Sequence, residues 1–311
     1  MSLHLIIPEG RLDSWRNHIQ KAAPGLAIHE QDNAVEDVDY AFVWLPPPGE
    51  LARFPNLKVI FSMGAGVDHV FADPNLPDVP IVRVVDENLT MRMTEWVVMN
   101  VLLHHRQFRA YDVQNSKAEW LEREQPGADE VCVGVMGLGV IGADSALRLR
   151  DLGFQVAGWS NSRKDIAGIE SFAGESEKQE FLNRTDILIN LLPLTPQTQG
   201  LIDAKLIGSL ARNGAISGPI IINAGRGGSQ VEADIIGCLN DGSLAGASLD
   251  VFETEPLPAE SPLWANPNVF ITPHVAAVSD PVSISTYVAK QITRFEQGKP
   301  LQNVVDPNTR Y

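Results

Sequence analysis

The chain has 311 residues, 44% of them hydrophobic, which is enough to bury a substantial core and predicts two domains. Its formal net charge of -15 disfavours nucleic acids and anionic membranes as partners, since both bind cationic surfaces. We find neither a membrane-length apolar run nor the features of a signal peptide. Cys132 and Cys238 lie far apart in apolar stretches, so we expect a cytoplasmic protein with both cysteines in the core.

Short apolar runs alternate with amphipathic stretches along the chain, and this alternation predicts an α/β fold. In the first third, the predicted strands are 3–7, 26–29, 41–44, 58–61 and 81–84, followed by a helix from about Met93 to Arg109. Further on, the predicted strands are 131–136, 154–159, 186–192, 220–224, 245–251 and 269–272, followed by a helix at 280–297. Several of these later strands are wholly apolar, which is typical of parallel strands covered by helices on both faces.

A glycine-rich loop follows the strand at 131–136. Gly137, Gly139 and Gly142 have GxGxxG spacing, with a strand before them and a helix after them. Such a loop makes a tight turn, lets a pyrophosphate approach the backbone, and rests the phosphates on a helix N-terminus. The sequence therefore predicts a dinucleotide site, to which the intervening Leu138, Val140 and Ile141 also belong.

The stretch "GWSNSRKD" (158–165) ends the next predicted strand, where such folds usually offer a carboxylate to the cofactor ribose. Here the side chains are those of Ser160, Asn161, Ser162, Arg163 and Lys164. A carboxylate would repel a 2′-phosphate, whereas hydroxyls, an amide and two cations would bind it. The stretch thus favours NADP, with NAD as the alternative, in which case Arg163 and Lys164 are only solvated surface charges.

Three later segments each end a predicted strand at the carboxyl edge of the sheet: "INAGRGG" (222–228), "LDVFETEP" (249–256) and "ITPHVAA" (271–277). Their pattern of N-x-x-R-G, D-V-x-x-x-E-P and P-H, after a glycine loop, resembles the D-isomer-specific 2-hydroxyacid dehydrogenases. The resemblance implies two α/β domains, Rossmann-like and flavodoxin-like, with parallel sheets, helices on both faces and an active site in the interdomain cleft. It divides the chain into a substrate-binding part (1–95), an NAD(P)-binding domain (96–278) and a return to the first domain (279–311).

The same resemblance makes Arg226, Glu255 and His274 the catalytic residues, and their chemistry suits those roles. A histidine can give a proton to a keto oxygen, a carboxylate can stabilise the imidazolium, and an arginine can hold the substrate carboxylate. Alternatives remain for each residue. His274 alone could be structural, Arg226 could face a phosphate, and Glu253 competes with Glu255, although the following proline favours Glu255.

Other site residues are also implied by the resemblance. In "SMGAGVDH" (62–69), the N–H groups of Ala65, Gly66 and Val67 could bind the substrate carboxylate, or the stretch is an ordinary glycine-rich turn. Trp44 or Leu45 would line the substrate pocket. The further cofactor contacts would be Leu192, Pro193, Thr195, Ala224 and Asp250. We predict no metal site, and the histidines other than His274 are expected to be structural or exposed.

Several stretches, including "GIESFAG", "INLLPLTPQTQG" and "EPLPAESPLW", resemble the bacterial glyoxylate and hydroxypyruvate reductases of the A type. This implies NADPH-dependent reduction of short 2-keto acids by a homodimer. Asn161 departs from the pattern, which usually has an arginine there. One alternative is a dehydrogenase of a bulkier 2-keto acid that uses NAD, and another is an NAD-dependent enzyme of the D-lactate or phosphoglycerate type. A third is a non-catalytic nucleotide-sensing protein of the same fold. A methyltransferase has only the glycine loop in its favour.

Overall fold

The computed structural model describes residues 1–30 and 32–310 and divides into two compact units. Unit 1 comprises Met1–Leu89 and Val278–Tyr311, and unit 2 comprises Thr90–Ala277. Each unit contains a parallel sheet with helices packed on it, which confirms the predicted α/β fold class. The assignment of substrate binding to one part of the chain and cofactor binding to the other stays a prediction.

Unit 1 is built on a parallel sheet with the strand order β2-β1-β3-β4-β5, the order found in flavodoxin-like folds. Its strands are β1 (Ser2–Ile6), β2 (Ala27–His29), β3 (Tyr40–Val43), β4 (Val59–Ser62) and β5 (Ile81–Val82). Its helices are α1 (Leu12–Ala22), α2 (Asp68–Phe71) and α9 (Pro281–Glu296). Helix α9 begins where Asp280 accepts the N–H of Ser283, with Pro281 in its first turn, and it packs beside α1 on one face of the sheet.

Unit 2 is built on a longer parallel sheet with the order β12-β11-β10-β9-β6-β7-β8. Its strands are β6 (Cys132–Met136), β7 (Gln155–Ser160), β8 (Glu170–Ala173), β9 (Ile187–Asn190), β10 (Ile220–Asn223), β11 (Gly246–Leu249) and β12 (Val269–Ile271). Its helices are α3 (Glu87–His105), whose first three residues are counted in unit 1, α4 (Phe108–Ser116), α5 (Val140–Asp151), α6 (Gly174–Asn183), α7 (Ala204–Gly208) and α8 (Glu232–Asn240). The strand order reverses between β6 and β9, and ligands of open α/β sheets bind at such a reversal.

The apolar strands of unit 2 are explained by burial on both faces. Every residue of β9 and β10 is buried. Helices α6, α7 and α8 contribute to the apolar cluster on one face, and α3 and α5 to the cluster on the other. Because both faces are covered, these strands have continuous rather than alternating apolar residues.

Three predicted elements need correction. The helix predicted from Met93 to Arg109 begins at Glu87 and ends at His105, because Gln107 has a left-handed backbone (φ 52°) before α4 starts. Strand β8 was not predicted. The strands predicted at 186–192 and 245–251 are shorter, at Ile187–Asn190 and Gly246–Leu249. Within the part of the chain that the structure describes, we find no helix long and apolar enough to cross a bilayer.

Candidate active site of unit 2

The residues predicted for the cofactor and for catalysis lie in the loops that follow β6, β7, β9, β10, β11 and β12, at the end of β7 and in the first turn of α5. Every pairing in this sheet is parallel. The carboxyl ends of the strands therefore lie along one edge, and these loops all leave from that edge. We call the loops after β10, β11 and β12 the catalytic end, and residues 160–164 with β8 the selector end.

The glycine loop has the geometry that phosphate binding requires. Gly137 has φ +100°, a conformation that side chains disfavour, and a Cβ on Gly142 would lie 1.8 Å from the Gly137 carbonyl oxygen. A Cβ on Gly139, by contrast, would meet nothing within 4 Å. Helix α5 begins at the next residue, Val140, so its N-terminal N–H groups open onto this free space. The loop therefore fits a dinucleotide pyrophosphate, whereas the Leu138 side chain is buried against Gly158.

At the selector end, the polar side chains are partly engaged with one another. The Ser160 hydroxyl is buried and donates to the Ser162 carbonyl, 2.8 Å away. Lys164 donates from Nζ to the Ser162 hydroxyl at 2.9 Å. The side chains of Ser162, Arg163 and Lys164 are otherwise at the surface, as is Asn161. A polar, exposed and cationic loop thus follows β7, at the position predicted for a 2′-phosphate.

Arg163 has partners that the sequence did not indicate. Its guanidinium donates from Nη1 to the Ser171 carbonyl of β8 and from Nη2 to Oε1 of Glu177 on α6. The other oxygen of Glu177 accepts the Ala173 N–H at 2.7 Å, at the start of the same helix. Arg163 is therefore held at the edge of the sheet by an acidic side chain that lies 14 residues further along.

At the catalytic end, His274 and Glu255 are in contact. The Nδ1 atom of His274 lies 2.7 Å from Oε2 of Glu255, and both side chains are about one-third exposed. Because a carboxylate only accepts hydrogen bonds, Nδ1 carries the proton in this contact. The competing Glu253 points elsewhere: its carboxylate accepts the Glu232 N–H at the start of α8.

The carboxylate of Glu255 is fixed at both oxygens. Oε1 accepts the Phe252 N–H at 3.0 Å, while Oε2 contacts His274. Partial burial acts to raise the pKa of Glu255, but the hydrogen bonds from His274 and Phe252, with the nearby charge of Arg226, outweigh it and lower that pKa below its usual value. Glu255 is therefore ionised at neutral pH.

Asp250 shapes the loop that presents His274. Its buried carboxylate accepts the Thr272 hydroxyl and the N–H groups of Val275 and Ala276, each of the latter at 2.9 Å. Its carbonyl oxygen accepts the His274 N–H at 2.8 Å. These bonds hold His274 in a left-handed backbone conformation (φ 54°), which is costly for a residue with a side chain. Asp250 was predicted as a cofactor contact, and the structure places its carboxylate against this loop.

Arg226 lies in a loop held by buried amides. The Asn190 side-chain amide donates to Asn223 at 2.9 Å and to the Ser229 hydroxyl at 2.8 Å, and that hydroxyl donates to the Arg226 carbonyl. Asn223 also donates to the same carbonyl at 3.2 Å and to Gln230 at 2.8 Å. The polar groups are thus satisfied away from water, which rigidifies the Arg226 backbone.

Glycine brings this loop next to the Glu255 segment. A Cβ on Gly227 would lie 1.8 Å from the carbonyl oxygen of Phe252, so only glycine fits there. The Arg226 side chain, partly exposed, donates from Nη1 to the Gly225 carbonyl at 2.7 Å. The electrostatic influence of Arg226 on Glu255 is consistent with this approach.

The remaining predicted cofactor contacts lie in the loops after β9 and β10. Leu192, Thr195 and Ala224 are buried, and Pro193 is partly exposed. The Thr195 N–H donates to the Thr198 hydroxyl at 2.8 Å, which in turn donates to the Pro193 carbonyl at 2.7 Å. The loop after β9 is therefore held by hydrogen bonds within its own residues 193–198. Among residues 1–30 and 32–310, no group of three potential metal-ligating side chains comes together.

Unit 1 contains the predicted substrate loop. The Ser62 hydroxyl donates to the Gly66 carbonyl at 3.0 Å, and within the described residues no acceptor takes the N–H groups of Ala65, Gly66 or Val67. These N–H groups are thus available to a ligand. Trp44 packs over Gly64, where a Cβ would lie 2.9 Å from its ring.

Trp44 also stacks on His69, with the ring centroids 4.8 Å apart. Leu45, the alternative to Trp44, is 64% exposed. Trp44 is therefore the better-anchored of the two side chains beside the predicted substrate loop.

Sequence analysis did not predict the residues that support the site through contacts with segments distant along the chain. Asn190, Ser229 and Gln230 support the Arg226 loop, and Glu177 holds Arg163. The only sequence signal for the amides was an asparagine at the end of two apolar strands, "ILIN" and "IIIN". A buried amide side chain needs hydrogen-bond partners. An apolar strand that ends in asparagine at this sheet edge therefore indicates a hydrogen-bond network there.

A glycine loop at a topological switch point, with an arginine, a carboxylate–histidine pair and a cationic loop at the same sheet edge, defines a dinucleotide-dependent oxidoreductase. Comparison with known families agrees: the model of the D-isomer specific 2-hydroxyacid dehydrogenase NAD binding domain matches residues 98–276. The chain belongs to this family of NAD(P)-dependent dehydrogenases, as its motifs predicted.

Within this family, the chain is similar to individual reductases and dehydrogenases. The chain is 41% identical over 306 residues to glyoxylate/hydroxypyruvate reductase A of Klebsiella pneumoniae, covering 96% of each protein. It matches the crystal structure of an NADPH-dependent glyoxylate/hydroxypyruvate reductase from Sinorhizobium meliloti in complex with NADP and sulfate, with TM-score 0.95, 49% identity and coverage of 100% and 99% of the two chains. A probable 2-hydroxyacid dehydrogenase from Rhizobium etli in complex with NADP, HEPES and L(+)-tartaric acid gives TM-score 0.93, 46% identity and the same coverage. The resemblance to the A-type reductases is thereby confirmed.

Proposed function

We propose that this protein reduces short 2-keto acids, glyoxylate and hydroxypyruvate among them, to 2-hydroxy acids with NADPH. The observation that carries this proposal is the His274–Glu255 pair at the same sheet edge as the glycine loop. The relatives named for this reaction cover nearly the whole chain. When bound, the reduced nicotinamide supplies a hydride to the keto carbon.

The chain's own residues would handle the proton and the charges. His274, whose Nδ1 faces Glu255, gives a proton from Nε2 to the keto oxygen. Glu255, ionised and fixed at both oxygens, stabilises the imidazolium before the proton leaves. Arg226 presents donors to the substrate carboxylate and keto oxygen, on a backbone that the buried amides hold still.

Substrate recognition in unit 1 would use the N–H groups of Ala65, Gly66 and Val67 for the carboxylate. Trp44 would then form a wall of the pocket and favour small side groups on the keto acid, because its ring is packed against Gly64 and His69 and has little room to retreat. A dehydrogenase of bulkier keto acids is the alternative.

Preference for NADPH over NADH is supported by the exposed cations of the selector end and by the absence of a carboxylate from residues 160–164. Two structural relatives were crystallised with NADP. Asn161, in place of the usual arginine, leaves Arg163 and Lys164 as the cations for the 2′-phosphate. We therefore expect a preference for NADPH with measurable use of NADH.

Steady-state assays test the whole proposal. Oxidation of NADPH and of NADH would be followed with glyoxylate, hydroxypyruvate, pyruvate and a branched, bulky 2-keto acid. We expect the highest kcat/KM with the two short substrates and NADPH. Absence of turnover with every keto acid would refute the proposed activity. Equal kcat/KM with NADH would refute the cofactor preference alone, and a best rate with the bulky acid would refute the substrate class alone.

We also propose that the protein is a homodimer. Large apolar side chains are exposed in and after α4: Phe108, Tyr111, Val113, Trp120 and Leu121, with Trp120 fully exposed. An exposed apolar surface of this kind is typical of an interface. Sedimentation of the wild type should give the dimer mass, and Trp120→Glu should shift it toward the monomer. A monomeric wild type would contradict the proposal.

A further inference from the structure

We propose that Glu177 is a specificity-determining residue that limits the preference for NADPH by competing with the cofactor 2′-phosphate for Arg163. The proposal rests on the assignment of Arg163 to that phosphate under the proposed function. Its basis is the ion pair itself: the guanidinium donates to Glu177, so the charge available to a phosphate is already shared with a carboxylate.

The geometry shows why Glu177 stays in place. Its Oε2 atom accepts the Ala173 N–H at 2.7 Å, one of the N-terminal donors of α6, while Oε1 accepts Arg163. The carboxylate is 32% exposed, and the hydrogen bond to the backbone removes most of its freedom to swing away. A negative charge is therefore fixed beside Arg163 whether or not a cofactor is bound.

Arg163, in contrast, is held only by contacts at the surface. Its side chain is 61% exposed and borders a surface cavity of about 390 Å³. It uses one donor on each of Nη1 and Nη2, and a guanidinium has five N–H donors, so a phosphate can still be gripped. The fixed carboxylate nearby repels that phosphate, and an exposed ion pair is weak enough to be exchanged.

Lys164 makes the contrast sharper. Its Nζ donates to the Ser162 hydroxyl at 2.9 Å, and no carboxylate in the described part of the chain pairs with it. Lys164 thus has no paired carboxylate among the described residues, whereas Arg163 is paired with Glu177. With Asn161 in the place of a second arginine, the opposition of Glu177 has a larger relative effect on NADPH binding.

The substitution that tests this is Glu177→Gln. Glutamine keeps an oxygen for the Ala173 N–H and removes the charge, so helix α6 should remain capped. We expect the Kd for NADPH, measured by calorimetric titration, to fall about fivefold, as expected for deleting one charge several ångströms from a phosphate in a solvated site. The Kd for NADH should stay unchanged, and the same contrast should appear between adenosine 2′,5′-bisphosphate and AMP.

Glu180→Gln is the matched control, because Glu180 lies on the same helix and borders the same cavity but makes no hydrogen bond to Arg163 within the described residues. It should change neither Kd appreciably. In an Arg163→Leu background, Glu177→Gln should lose its effect, since Glu177 acts through Arg163.

The outcomes separate the two proposals. If Arg163→Leu leaves NADPH binding unchanged, the assignment of Arg163 to the 2′-phosphate fails. If Arg163→Leu weakens NADPH binding but Glu177→Gln leaves it unchanged or weakens it, that assignment stands and the competition is refuted. An equal gain from Glu180→Gln would also refute the competition, because the effect would then be general surface charge.

Discussion

The two ends of the unit 2 sheet edge are built from different kinds of interaction. At the catalytic end, buried groups hold the functional side chains: Asp250 binds three donors of the His274 loop, and the buried Asn190 and Asn223 support Arg226. At the selector end, the contacts are made by exposed side chains, above all the Arg163–Glu177 pair.

This difference separates what must stay fixed from what can be adjusted. A hydrogen bond to a buried charged group contributes about 1.5–3 kcal/mol, whereas an exposed ion pair contributes about 0–1 kcal/mol. The proton transfer that we propose for His274 is sensitive to small displacements, so this role would require the stronger bonds of the catalytic end. The proposed cofactor preference depends on charges at an exposed loop, so the selector end can change by surface substitutions.

The largest effect should come from the proton donor. His274→Ala should lower kcat for glyoxylate by about 10²–10⁴-fold, the usual contribution of a positioned general acid. The Kd for NADPH should stay near the wild-type value, since the glycine loop and the selector end are untouched. Wild-type turnover by the variant would show that His274 is not the acid and would remove the basis for calling this end catalytic.

The two glutamates of "DVFETEP" provide a matched pair. Glu255→Gln removes the charge that faces His274, and we expect kcat to fall by about 10²-fold, because the imidazolium loses its stabilising partner. Glu253→Gln removes a charge two residues away that faces α8, and it should leave kcat within about twofold. Equal effects of both substitutions would contradict the role given to Glu255.

Asp250→Asn tests whether the His274 loop needs its buried support. The amide has one acceptor oxygen fewer, so one of the N–H groups of Val275 and Ala276 loses its partner. We expect kcat to fall about tenfold, comparable with the loss of one hydrogen bond to a charged group. Titration with NADPH distinguishes a role in supporting the His274 loop from a direct contact with the cofactor. If the Kd for NADPH rises by the same factor as kcat falls, Asp250 contacts the cofactor directly.

We expect His104, which packs against strand β11 of the unit 2 sheet, to lower the stability of the protein at acidic pH. It lies under β11, with Nε2 2.9 Å from the Ser248 hydroxyl, and burial, with the charge of Arg109, lowers its pKa from 6.5 to about 4. Between these values the unfolded chain binds a proton that the folded protein does not, so stability present above pH 6.5 is lost as the pH falls toward 4.

Urea unfolding of the wild type and of His104→Gln at several pH values measures this. At pH 7.5 the difference between their free energies of unfolding reports packing alone. That difference should move in favour of the variant below pH 6.5, by an amount on the order of 1 kcal/mol per pH unit. A difference that does not change with pH would show that His104 titrates alike in both states.

Much of this arrangement could be predicted from the sequence because it depends on local patterns. The apolar runs predicted the strands, and Gly137, Gly139 and Gly142 predicted the loop that starts α5. Strand β8 escaped prediction because "ESFA" lies at the sheet edge and has only one buried residue, Phe172. An edge strand does not need the continuous apolar pattern of its neighbours.

The contacts that tune the site could not be predicted, since they join residues that are distant along the chain. Asp250 meets the His274 loop across 22 to 26 residues, and Asn190 meets Ser229 across 39. Which of Glu253 and Glu255 faces the histidine depends on the path of the chain after β11. Composition and spacing give the residue types of such a site, and the tertiary fold decides their partners.

Arg163 also covers part of the exposed edge of strand β8. β8 is the outermost strand of its sheet, and an outermost strand offers peptide groups to which another chain can add. Arg163 occupies the Ser171 carbonyl, and the Lys164 N–H binds the Ser171 hydroxyl, so the loop covers part of this edge. Replacing Arg163 to alter cofactor use would therefore also leave the Ser171 carbonyl at this sheet edge without the Arg163 donor.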